Sequence, residues 1–88
     1  MYRRDVTIIN KTGLHARPAA QFIRQASKFK SDISVIHKGK LFNAKSIISV
    51  ISAGIYGGSV INISAEGSDE EEAVNSLLDL VLSNFGEQ

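Results

Sequence analysis

The sequence predicts an α+β fold, with helices crowding one face of an antiparallel or mixed sheet. Two observations carry that prediction. Residues 2–9, 32–37, 40–43 and 60–65 are short β-type runs, the first with clear period-two alternation. Residues 16–29 and the stretch beyond Ser68 place apolar side chains at the spacing of a helix face. A short segment after Ser46 completes the order strand, helix, strand, strand, short helix, strand, helix. With 88 residues the chain has room for one domain, spanning 1–88.

In the first strand Tyr2, Val6 and Ile8 point one way and Arg3, Asp5 and Thr7 the other, so one face is dry and one wet. Asn10 to Gly13 forms a turn. From Ala16 to Phe29 the residues Ala19, Phe22, Ile23 and Ala26 make one apolar stripe, leaving Arg24, Gln25 and Lys28 in water. Lys38-Gly39 suits a tight hairpin, and His37 at its edge reads as a solvated strand-end residue.

Ser46 can cap a short helix holding Ile47, Ile48, Val50 and Ile51, which Gly54 ends. Its β-branched residues weaken helix propensity and leave a strand reading open. Ile47 and Val50 are expected inside, Ile48 and Ile51 outside. Gly57-Gly58 turns the chain into the strand Val60–Ala65. Ser68 and Glu71 have the spacing of a capping box, Asp69 to Glu72 load acid onto the helix start, and Val74, Leu77, Leu78 and Val81 form its buried stripe.

Composition removes several function classes. There are no cysteines, which excludes disulfides and thiolate metal sites. Ten basic residues against nine acidic ones leave a net charge of +1, too little to make an overall case for nucleic acid or an anionic membrane. No apolar run approaches the roughly 18 residues of a membrane span, and Met1 to Val6 has neither a signal core nor a transit pattern, so a cytoplasmic location is expected.

The chemistry is concentrated in Gly13-Leu14-His15-Ala16-Arg17-Pro18-Ala19-Ala20, where a turn runs into a helix. A proline in the first helical turn sacrifices no hydrogen bond, because N–H groups there have no intrahelical partner. The free N–H groups near Ala16 and Arg17, with the positive end of the helix dipole, form a small anion site to which Arg17 adds a planar guanidinium. An imidazole, with an ordinary pKa of about 6.5, is a competent nucleophile near neutrality. Such a ring beside a phosphate cradle of Ala16, Arg17 and Pro18 points to a histidine that is itself phosphorylated. No metal and no cofactor is required for that chemistry.

The chain resembles the HPr family, the histidine-containing phosphocarriers of the sugar phosphotransferase system, over essentially its whole length. Two stretches carry the likeness: Gly13 to Ala19, and Asn43-Ala44-Lys45-Ser46-Ile47-Ile48 followed by Gly54. The resemblance implies an open-faced β-sandwich in the order βαββαβα, with three helices over a four-stranded antiparallel sheet. It implies that His15 accepts a phosphoryl group, on Nδ1, from phosphorylated enzyme I and passes it to enzyme IIA domains, with no independent turnover. It further implies that Ser46 is a target of the HPr kinase/phosphorylase in relatives from low-GC Gram-positive bacteria, where it creates a site for a catabolite-control transcription regulator.

Partner docking is expected on Ile47, Ile48 and Ile51, with Arg24, Lys28 and Lys45 as a basic rim. The chain is expected to be monomeric. It departs from many relatives in having isoleucine for methionine at Ile48 and Ile51, serine for glycine at Ser49 and glycine for lysine at Gly57. Stiff isoleucine adapts less than methionine, which narrows the partners expected.

Competing readings are a regulatory module acting through Ser46 and a nitrogen-related phosphotransfer carrier. A small acylphosphatase-type enzyme would need a glycine-rich phosphate loop that is not evident. An RNA-binding sheet would need an exposed aromatic pair.

Overall fold

Alternation in the first strand decides which way the sheet faces. The computed structural model describes residues 1–86, in the order β1 (Tyr2–Thr7), α1 (Ala16–Ala26), β2 (Asp32–His37), β3 (Lys40–Asn43), α2 (Ile47–Ser52), β4 (Val60–Glu66) and α3 (Glu70–Leu82), followed by a 3-10 turn at Asn84–Gly86. The four strands form one antiparallel sheet in the spatial order β1-β4-β2-β3. Register places Val6 opposite Ile61, and Ile63 and Ala65 opposite Val35 and Ile33, so these side chains share one face. All of them are buried.

The same register puts Ser34 against Ser64 and Ile36 against Leu41 on the other face. There Asn62 Nδ2 donates to Asp5 Oδ1 at 3.0 Å. The inner face is covered by Ala19, Phe22 and Ala26 of α1, Val50 of α2, and Ala73, Val74, Leu77 and Val81 of α3. A sheet with helices on one side only is the layer arrangement that the sequence predicts and the open-faced sandwich that the family resemblance implies.

The segment after Ser46 resolves as helix. Ser46 Oγ accepts from Ser49 N at 3.2 Å, and Gly54 follows the C-cap with φ +63°. A satisfied N-cap outweighs the weak propensity of four β-branched residues.

Other expectations are corrected. His37 is buried, with Nδ1 3.3 Å from the Ala53 carbonyl oxygen. Strand parity explains this, since Ile33, Val35 and His37 all turn to the face that the helices cover. Ile47, expected inside with Val50, is 39% exposed. A six-residue helix is too short to bury both flanks of its first turn.

At α3 the capping box does not form. The helix starts one residue later than Ser68 and Glu71 would require, at Glu70, with Asp69 as N-cap. The Asp69 carboxylate instead accepts from Lys30 N at 2.8 Å, Ser31 N at 2.9 Å and the Ser31 hydroxyl, while Glu70 Oε1 accepts from Gly67 N. Finally, α1 ends at Ala26 rather than Phe29. Lys28 N and Phe29 N bond three residues back instead of four, which tightens the last turn out of regular helix.

Candidate functional site

The turn between β1 and α1 is fixed before His15 is reached. Gly13 N donates to Asn10 O at 3.1 Å, and the buried Asn10 side chain returns a bond from Nδ2 to Gly13 O at 2.8 Å. Leu14 is buried, and its N–H donates to Ile55 O at 3.0 Å. Gly13 itself has φ +67°, and a Cβ there would stand 2.1 Å from the Ile55 carbonyl oxygen. Only glycine satisfies both demands. The reactive segment is thus stapled to the loop between α2 and β4.

His15 is the N-cap of α1, with extended backbone (φ −113°, ψ 174°) and no side-chain capping bond. Its carbonyl accepts the first intrahelical bond, from Ala19 N at 3.0 Å, so the backbone does the capping geometry and leaves the ring exposed. Pro18 occupies the third helical position and is buried, spending no N–H of the first turn. Ala16 and Arg17 then carry first-turn N–H groups with no acceptor inside the helix. Arg17 is exposed two residues after His15, in the first turn of the helix.

Arg17 and Arg24 of α1 and Lys28 just beyond its end line a groove with Gln21 and Leu80. The ion pair seen among the described residues joins the N-terminal amine to Glu70, far along the chain from these cations. Among the described residues, the cations of the groove therefore have no ion-pair partner.

Ser46 lies on α2, which packs against α1. Ile48 is 78% exposed and Ile51 46%, with Ile47 beside them. Lys45 differs from its expected place on the rim. It is half-buried, and its Nζ donates to Phe29 O at 2.7 Å, tying down the turn that follows α1. Asn10 was not singled out by sequence reasoning, although an asparagine three residues before a turn glycine is itself a signal for such a side-chain bond. Among the described residues no group of three or more His, Cys, Asp or Glu could hold a metal. No described helix is long and apolar enough to cross a membrane.

The family described as the PTS HPr component phosphorylation site matches residues 2–83. The chain belongs to the HPr family. It is 48% identical over 77 residues to the phosphocarrier protein HPr of Buchnera aphidicola, covering 88% of this chain and 91% of that one. A crystal structure of HPr from Thermoanaerobacter tengcongensis superposes with a TM-score of 0.98 at 53% identity, covering 100% of this chain and 99% of the other. Crh, a catabolite repression protein of Bacillus subtilis crystallised as a swapped dimer, matches at 40% identity with a TM-score of 0.76, covering 94% and 95% of the two chains. An HPr-type phosphocarrier fold thus presents its exposed histidine on a turn that the rest of the fold holds in place.

Proposed function

We propose that this chain is a single-domain, monomeric, cytoplasmic phosphocarrier that takes a phosphoryl group from phosphorylated enzyme I on His15 and hands it to enzyme IIA domains. The observation that carries this is an exposed imidazole at an N-cap, with the cap's own hydrogen bond made by the backbone. The ring is free for chemistry because the helix does not use it. In the transfer, a bond forms from a His15 ring nitrogen to phosphorus as the donor's N–P bond breaks. The returning step is the same exchange with His15 as leaving group.

Both sides of that exchange are phosphohistidines, so little driving force is needed and positioning dominates. The N–H groups of Ala16 and Arg17 and the helix dipole face the added charge of roughly −1.5 to −2. The Arg17 fork supplies donors matched to phosphate oxygens. As a carrier it is expected to show no turnover without a partner.

The decisive experiment uses enzyme I and labelled phosphoenolpyruvate. The native chain takes up acid-labile phosphate and His15→Ala takes up none. Label persisting in His15→Ala would refute the assignment.

A regulatory role for Ser46 is a second reading, supported by its place as the N-cap of α2 beside Ile48 and Ile51 and by the similarity to Crh. A phosphate at a helix start is tolerated locally by the dipole yet sets negative charge beside the docking patch, where it repels acidic partners. It also offers a surface to an HPr kinase/phosphorylase and a catabolite-control regulator.

A further inference from the structure

The loop between α2 and β4 carries a side chain that the fold does not need. Tyr56 is 69% exposed, and its hydroxyl makes no hydrogen bond among the described residues. Its backbone is nonetheless firmly held. Tyr56 N donates to Ser59 Oγ at 3.2 Å, Ser59 N donates back to Tyr56 O at 3.1 Å, and the preceding Ile55 is buried and receives the Leu14 N–H. A Cβ on Gly13 would lie 2.7 Å from Tyr56 Cα, so this residue is pressed against the turn that presents His15. An exposed ring therefore stands on a rigid mount that touches the turn leading into His15.

Phosphoryl exchange between two histidines requires the attacking nitrogen and the phosphorus to come within roughly 3–3.5 Å. The surface around His15 is therefore covered by the other protein at the moment of transfer, and Tyr56 packs against the turn only two residues before His15. We propose that Tyr56 is a specificity-determining contact, whose ring packs as an aromatic anchor against apolar surface next to the active histidine of the donor protein. This rests on the reading of His15 as phosphoryl acceptor. A tyrosine ring supplies large contact area with few rotamers to freeze, and buried tyrosines are enriched among residues that dominate binding.

The test compares Tyr56→Ala and Tyr56→Phe with the native chain in steady-state transfer from phosphorylated enzyme I, alongside thermal melts. Tyr56→Ala is expected to raise KM for the carrier roughly tenfold while kcat stays within about twofold and the melting temperature is unchanged. Tyr56→Phe should restore the native KM. An unchanged KM in Tyr56→Ala overturns the proposal, as does a Tyr56→Phe variant as impaired as Tyr56→Ala, which would assign the effect to the hydroxyl. A native chain that takes no label refutes the His15 reading itself, and with it this one, an outcome distinct from a labelled native chain with an indifferent Tyr56.

Discussion

The reactivity assigned to His15 depends on Gly13 as much as on the imidazole. The left-handed backbone and the 2.1 Å approach to Ile55 O leave no space for a side chain at Gly13. Gly13→Ala is expected to cost about 3 kcal/mol of stability, measured by urea denaturation, because strain and steric overlap add. Arg17 is a different case, since it is exposed and holds nothing in the fold. Arg17→Lys keeps the charge and loses the planar fork, so transfer from enzyme I should slow roughly tenfold in rapid-quench experiments with an unchanged melt. The motif around His15 was legible because each residue type has a local reason: glycine for the turn, proline for the first helical turn, arginine for an anion. Asn10 and Tyr56 were not. Asn10 acts through a local bond to Gly13 O that its spacing from the turn glycine could have signalled, whereas Tyr56 meets the Gly13 turn from 43 residues further along the chain, which no local pattern encodes.

At the scale of elements, the instructive case is the start of α3. A local pattern, Ser68 and Glu71, competes there with a tertiary demand, and the tertiary demand wins. Two backbone N–H groups and a hydroxyl at the end of the α1–β2 connection need an acceptor, and Asp69 meets all three. These bonds, the Ser31 hydroxyl first and the Lys30 amide next, hold the Asp69 carboxyl below its ordinary value of 3.8. The sign follows from linkage. A carboxyl with a lowered folded pKa contributes stability that is complete above its ordinary value and is lost as the pH falls through the folded one. Denaturation midpoints measured from about pH 5 to about pH 2 should therefore fall, and Asp69→Asn should flatten that dependence. The short α2 teaches the opposite lesson. Its serine cap was readable, and it decided helix over strand despite unfavourable side chains.

For the whole molecule, net charge is a poor guide and charge placement a good one. A chain of net charge +1 carries Arg17, Arg24 and Lys28, without ion-pair partners among the described residues, along one groove and acidic residues at the start of α3. Such separation would steer an acidic partner to the helix that begins at His15. The second-order rate of transfer from enzyme I is expected to fall roughly tenfold between low salt and about 0.5 M salt, with kcat little changed. The exposed apolar patch is likewise a property of the assembled molecule. Ile47, Ile48 and Ile51 are exposed because Val50 takes the inward position on an element too short to bury more.

Sequence alone determined the alternation of strands and helices, the cap at Ser46 and the residue types around His15, because these depend on neighbours within a few positions. The tertiary structure decided what depends on distant partners. It turned His37 inward against Ala53, drew Lys45 onto the turn that follows α1, and used left-handed backbone at Asn84 and Phe85 to fold Phe85 back into the core. A burial pattern shows which face of an element is dry. It does not show which other element will dry it, and that choice set the surroundings of the histidine.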